Sequence, residues 1–330
     1  MNYIGAKNRL IPFLESNILK IVDSLDGKIF CDIFAGTGAV GRHFKTRVSK
    51  IIANDIERYS YVLNRNYIGN HLTLNVSDLL AELNSLNGIE GFIFENYAEG
   101  GIGNRLYFSK ENAKKIDAAR LKIEQWNNAK SISEDIYYFL LASLLESADK
   151  VANTASVYGA FLKKLKKTAL KPLFIEPALF AINNNTHDVF QKDSNELIKE
   201  IKGDILYMDP PYNARQYGAN YHLLNTIALY DTFSPKGKTG MREYKRSQYC
   251  SKSAVSKSFE DIVKNADFKY IFLSYNNEGL MSFDEIKKVM SKYGEYSVAS
   301  TDYQRFKADS NRINIADKTT EYLHILIKNG

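Results

Sequence analysis

Three observations predict an α/β protein with a mostly parallel sheet and a long insertion. Apolar runs of strand length fall at 28–34, 50–54, 186–191, 205–208 and 270–275, too short for core helices. Directly after the first run come Gly36, Gly38 and Gly41, the G-x-G-x-x-G spacing that opens a helix behind a strand in nucleotide-binding sheets. The third observation is a surplus of chain. A strand–helix step takes about thirty residues, so three steps between Asp32 and Asp209 fill only part of that interval. The rest reads as an insertion at 60–185, leaving 1–59 and 186–330 as the sheet-bearing domain.

Composition sets the outer limits. A chain of 330 residues with 45% hydrophobic and 25% charged side chains is an ordinary globular protein of one large or two modest domains. No apolar run reaches the ~18 residues needed to span a bilayer, and 137–145 reads as a core helix. The start lacks the apolar region of a signal peptide. Two cysteines, Cys31 in a strand and Cys250 in a polar loop, supply neither a disulfide framework nor a zinc site. A cytoplasmic protein without metal or membrane partner is expected.

Taken in order, Leu10, Phe13, Leu14, Ile18, Ile21, Val22 and Leu25 have helical spacing, and Gly27 ends that helix. The strand at 28–34 carries Asp32 near its end, and the strand at 50–54 leads into Asp55, placed to receive ribose hydroxyls. Helices are expected at 109–126 and 133–150. Lys163, Lys164, Lys166, Lys167 and Lys171 follow, a run that suits either a solvated face or phosphate contact. Asp193 and Glu196 stand at N-cap and N3 spacing after the third strand. A helix starts near Tyr221, with His222 on its surface. Residues 236–257 hold seven cations (Lys236, Lys238, Arg242, Lys245, Arg246, Lys252, Lys257) against one anion, Glu243, with Tyr244 and Tyr249 interleaved. Basic and aromatic residues together favour nucleic acid over a plain solvated loop. A fifth strand at 270–275, a helix at 282–293 and strands near 296–301 and 322–328 complete the chain.

Asp209-Pro210-Pro211-Tyr212 is the most informative stretch. Neither proline can donate to a sheet ladder, so the chain leaves the sheet as a stiff turn at Asp209. Ligands of open α/β sheets bind beyond the carboxyl ends of strands. An acceptor-only carboxylate, a rigid carbonyl and an aromatic ring suit a planar base with an exocyclic amino group. The glycine pattern alone does not separate a nicotinamide dinucleotide from S-adenosylmethionine; joined to Asp209-Pro210-Pro211-Tyr212 it points to the methyl donor.

These motifs, Asp32-Ile33-Phe34-Ala35-Gly36-Thr37-Gly38 and Asp209-Pro210-Pro211-Tyr212 with Tyr3-Ile4-Gly5-Ala6-Lys7, resemble those of the DNA amino-methyltransferases. The order is that of the D12, α-type N6-adenine group, which includes type II restriction–modification and Dam-like enzymes. The resemblance covers roughly 1–60 and 186–330. It implies a Rossmann-like, S-adenosylmethionine-dependent methyltransferase fold: a mostly parallel seven-stranded sheet with an antiparallel last strand, plus an inserted, mainly helical recognition domain at 60–185. It implies that Tyr3, Lys7, Asp32, Phe34, Gly36, Gly38, Asp55 and Asp193 serve the cofactor. Asp209, Pro210, Pro211 and Tyr212 would act on a base flipped from the duplex. Arg215, Arg242, Lys245 and Arg246 are the candidate DNA contacts. Double-stranded DNA is the implied partner, with a cognate endonuclease possible, in a bacterial cytoplasm. A ribosomal-RNA methyltransferase carrying the same motif is the alternative, although such enzymes are typically more compact. A DNA-binding protein with a vestigial cofactor site is a third reading.

Overall fold

The computed structural model describes residues 7–304 and 318–329, so Tyr3 lies outside the described residues. The chain divides into two compact units. One comprises Gly5–Ile56, Asn183–Gln216 and Arg246–Gly330; the other contains Glu57–Ile182 and Tyr217–Lys245.

The first unit holds a seven-stranded sheet: β1 (Ile29–Asp32), β2 (Lys50–Asn54), β3 (Asp188–Phe190), β4 (Lys202–Met208), β5 (Asp267–Asn276), β6 (Gly294–Gln304) and β7 (Lys318–Lys328). Their order across the sheet is β3-β2-β1-β4-β5-β7-β6. β7 runs antiparallel to both its neighbours, and the other strands share one direction. From β1 the chain passes to β2 on one side, and β4 lies on the other. The connections therefore diverge at β1/β4 and leave a crevice beyond the carboxyl ends of those two strands.

Alternation along the strands decides which side chains reach that crevice. Cys31, Ile33, Leu206 and Met208 share one core with Leu273 and the helices Val255–Asn265 and Phe283–Met290. The opposite parity faces the other way: Phe30 stacks on Phe44 at 4.7 Å, and Tyr207 lies 6.4 Å from Phe30. Asp32 is the register partner of Tyr207, so Asp32 and Tyr207 share this second face, and Asp209 follows with the same parity.

The second unit is helical, and buried polar side chains tie its elements together. Helices Lys110–Asn128 and Glu134–Val151 are N-capped by Ser109 and Ser133. Asp117 lies fully buried and accepts from the amides of Ile93 (2.9 Å), Phe94 (2.8 Å) and Gly91 (3.2 Å), capping the helix Phe92–Tyr97 from outside it. Arg120 donates to the carbonyls of Ile227 (3.0 Å) and Ala228 (3.2 Å), closing the far end of the helix His222–Leu229. Removing one such partner strands a buried charge or dipole, at a cost of about 1–3 kcal/mol.

Several expectations are corrected. The stretch Tyr217–Lys245 follows the Asp209 turn in sequence, yet Leu223, Leu224 and Ile227 bury themselves in the helical unit's core. His222 is no helix-surface residue: it is fully buried, its Nε2 lies 3.0 Å from the Tyr158 carbonyl, and burial lowers its pKa to about 4. Cys250 is also buried, against the carbonyl of Arg215. The sequence pattern does not predict the helices Ser77–Ser85, Phe92–Tyr97 and Val255–Asn265. Val255, Phe259, Ile262 and Val263 carry a clear helical stripe, but it begins inside the basic segment and is masked by its charge. No helix among the described residues is long and apolar enough to cross a membrane.

Candidate active site

Four acidic residues gather at the carboxyl ends of adjacent strands: Asp32 at the end of β1, Asp55 just past β2, Asp193 past β3 and Asp209 past β4. Each is placed by local chemistry. The turn after β1 runs through Gly36 (φ 52°) and Gly38 (φ 78°), left-handed conformations that a side chain resists. Gly38 donates to the Ala35 carbonyl (2.7 Å), and the chain enters the helix Ala39–Phe44. Asp55 locks this turn from the next strand by accepting from the Gly36 amide at 2.9 Å. Asn54 ties the strand ends together: its side chain donates to the carbonyls of Ile33 and Lys192 (both 3.1 Å) and accepts from the Lys192 amide (3.0 Å). Asp193 N-caps its helix by accepting from the Asn195 amide at 2.9 Å, as its spacing predicts. Phe34 meets Tyr249 edge to face at 4.8 Å, and the Tyr249 hydroxyl donates to Asn195.

Asp32 is almost wholly buried, 1% exposed. One carboxyl oxygen accepts from the Gly41 amide at 3.3 Å; the other, Oδ1, has no hydrogen-bond partner among the described residues. Burial first, then the nearby Asp209 charge, pushes the Asp32 pKa up to about 8. Such a group is a receptor for a donor or a cation that the described residues do not supply.

Asp209 sits in a different setting. The Lys7 ammonium is 3.1 Å from its Oδ1, and the same ammonium is 2.6 Å from Oε1 of Glu321 on β7. The contact to Asp209 is an ion pair without good hydrogen-bond alignment. Burial raises the Asp209 pKa, Lys7 opposes it, and the balance stands at about 6. Tyr212 lies beside this group. Its carbonyl accepts from the Leu280 amide (2.9 Å), its ring meets Tyr275 edge to face at 6.2 Å, and the Lys7 ammonium lies 5.9 Å from the ring centroid. Pro210 and Pro211 hold the backbone between carboxylate and ring.

The sheet unit thus brings together Asp32, Phe34, Gly36, Gly38, Asp55, Asp193, Asp209 and Tyr212, the latter two across the Pro210-Pro211 turn. Lys7, one of the candidate cofactor residues, is paired with Asp209 of that turn and with Glu321 of β7. Of the candidate nucleic-acid contacts, Arg215, Lys245 and Arg246 are exposed. Arg242 differs: it forms a two-pronged pair with Asp231 (3.0 and 2.9 Å) and lies 5.0 Å over the Phe233 ring, which binds the helical unit's own loop together. Lys236 and Lys252 likewise pair with Glu243 and Glu285. Glu321 carries no motif signal in the sequence. The available signal was a single acid at the head of the apolar run 322–327, a position a strand buries on both faces.

Comparison with known proteins agrees with this geometry. The profile of the D12 class N6 adenine-specific DNA methyltransferases matches residues 3–319. Type II methyltransferase M.NlaIII of Neisseria lactamica is 62% identical over 99% of this chain and 99% of its own length. M.CviAII of Paramecium bursaria Chlorella virus 1 is 39% identical over 98% of this chain and 97% of its own. M.FokI of Planomicrobium okeanokoites is 36% identical over 99% of this chain, which spans 53% of that larger protein. With the glycine turn after β1 and the Asp209 turn after β4 at the switch point of one sheet, the chain belongs to the D12 class of N6 adenine-specific DNA methyltransferases.

Proposed function

We propose that this protein methylates N6 of adenine within a specific short sequence of double-stranded DNA, as the modification half of a restriction–modification system. The observation that carries the reading is the Asp209-Pro210-Pro211-Tyr212 turn: an acceptor carboxylate and a ring on a rigid backbone, one strand from the glycine turn.

The methyl donor is S-adenosylmethionine. The residues present fit it: the unpartnered buried oxygen of Asp32 suits a cationic or donating group, and the left-handed Gly36 and Gly38 let backbone approach a ligand closely. Asp55 and Asp193 add acceptors for hydroxyl or amino hydrogens at the neighbouring strand ends. When bound, the cofactor supplies an electrophilic methyl carried by a sulfonium.

Adenine N6 is a weak nucleophile because its lone pair is delocalised into the ring. In the proposed step the Asp209 carboxylate and the Pro210 carbonyl each accept one N6 hydrogen, which localises the lone pair on nitrogen; once methylated, the nitrogen releases one of these protons to water by way of the Asp209 carboxylate. The rest of the rate comes from holding the nitrogen in line for attack. With a pKa of about 6, Asp209 is ionised and able to accept at neutral pH. Tyr212 stacks on the flipped base, replacing part of the stacking lost from the duplex. Nucleoside mass spectrometry of reacted DNA tests the reading: N6-methyladenine is expected, and N4-methylcytosine alone would overturn it.

Target recognition is assigned to the helical unit, which contains most of the chain beyond the sheet. Grafting the corresponding residues of a relative should change the site methylated; unchanged specificity would refute the assignment. A cognate endonuclease would be blocked at sites this chain has methylated.

A further inference from the structure

We infer that Glu321 is a positioning residue for methyl transfer, acting through the Lys7 ammonium to hold the Asp209 carboxylate in place as an ionised hydrogen-bond acceptor. The inference rests on the proposed role of Asp209 and adds two residues to it.

The antiparallel strand makes the arrangement possible. Parallel strands bring their ends to the active face of the sheet, whereas β7 brings its start. Glu321 is paired in register with Asn276, the last residue of β5, so it lies level with the carboxyl ends of the other strands. There it takes the closer share of Lys7, 2.6 Å against 3.1 Å for Asp209. The Lys7 and Glu321 side chains are 7% and 4% exposed, while Asp209 keeps 18%. The open member of the triad is therefore the one proposed to meet substrate.

A two-membered pair would serve the reaction less well. An ammonium bound to Asp209 alone would compete with the N6 hydrogens for its lone pairs and draw off the charge that activates the nitrogen. Glu321 divides that ammonium. Asp209 keeps a neighbour that fixes its rotamer and retains a net negative charge on the triad. Among the described residues, Tyr207 and Asp32 also interact with Asp209 and Tyr212 with Lys7, and none of the three is a cation. Stability alone does not require the arrangement, since a buried ion pair is commonly no better than apolar residues of the same volume.

The opposed influences of the two partners give a signature. Lys7 lowers the Asp209 pKa and Glu321 raises it. Glu321→Gln should therefore move the acidic limb of the kcat–pH profile to lower pH by about one unit and reduce plateau kcat about tenfold, the scale of lost outer-shell partners. Lys7→Gln should move the same limb to higher pH. Glu321→Asp, which keeps the charge, should leave the limb near its original position, and covers the case in which Glu321→Gln folds poorly. Carboxyl-carbon NMR of aspartate-labelled protein, with the Asp209 signal assigned by its loss in Asp209→Asn, should show the same displacements without turnover. Limbs and NMR titrations that stay put in both Glu321→Gln and Lys7→Gln would overturn the inference. Asp209→Ala, which removes the acceptor altogether, separates the two layers: if it remains active, the acceptor role itself falls, whereas an inactive Asp209→Ala with unshifted Glu321 and Lys7 variants removes only the positioning role.

Discussion

Replacing Asp32 by Asn should stabilise the cofactor-free protein at alkaline pH while weakening cofactor binding. Burial, then the Asp209 charge, raises the Asp32 pKa from the ordinary 3.8 to about 8 in the folded protein. Its folded pKa is raised, so its contribution to stability is complete below pH 3.8, declines as pH rises and reaches its minimum above about pH 8. At about 1.4 kcal/mol per unit the ceiling of this penalty is ~6 kcal/mol. With the effective dielectric of about 20 that describes buried sites, about 2–3 kcal/mol is the expected size. Asparagine is nearly isosteric and keeps an acceptor for the Gly41 amide but carries no charge. Melting temperatures measured without cofactor from pH 5.5 to 9 should diverge with rising pH, reaching roughly 5 °C in favour of Asp32→Asn for a unit of this size. Calorimetry at pH 7.5 in buffers of different ionisation enthalpy should show wild-type protein releasing a proton as the cationic cofactor binds, and Asp32→Asn binding more weakly with no such release. A melting difference independent of pH, or a variant less stable at pH 8.5, would refute the reasoning.

Three further outcomes follow from the site. Tyr212→Phe should stay within severalfold of wild type, because the ring remains, while Tyr212→Ala should lose the ~1–3 kcal/mol of base stacking; equal damage from both would make the hydroxyl the active part. Neutralising Lys245 and Arg246 together should weaken DNA binding uniformly across sequences and shallow the salt dependence by roughly one unit per lost phosphate contact, and an unchanged slope would return these residues to solvent. Gly38→Ala, at φ 78°, should raise the cofactor dissociation constant by about tenfold, the cost of about 1–2 kcal/mol for a left-handed non-glycine residue; unaltered affinity would show that the turn tolerates a Cβ.

The parts of the site legible in the sequence are those where one residue type has one physical use. Glycines at 36 and 38 announce a turn only glycine makes easily, and two successive prolines announce the end of a strand. Asp193 could be read because a cap acts on the amide two residues away. What escaped depends on contacts between distant parts of the chain. Lys7 reads, through the resemblance, as a residue serving the cofactor, and its contact with Glu321, 314 residues on, leaves no local signal. His222 reads as a surface histidine until Tyr158 is brought against it. Arg242 reads as one cation among seven, but Asp231 and Phe233 lie outside the basic segment that drew attention to it. The ends of β4, β5 and β7 extend beyond their apolar runs for a related reason. Main-chain pairing continues through Lys202, Asp267 and Lys318 regardless of side-chain polarity.

Asp32 and Asp209 show how one sheet end prepares two carboxyl groups for different duties. Their side chains point to the same face; burial raises the pKa of both, and the Asp209 charge adds to the rise at Asp32. Without a third charge both would drift towards protonation, and a protonated Asp209 could not accept the hydrogens of an amino group. Lys7 breaks the symmetry. It stands against Asp209 rather than Asp32, which leaves one acid near 6 and the other near 8. At neutral pH the acceptor is ready, while the enclosed acid waits for a positive ligand to stabilise its ionised form. The acids that make the site useful also make its empty form costly, the usual balance between stability and activity at a functional site.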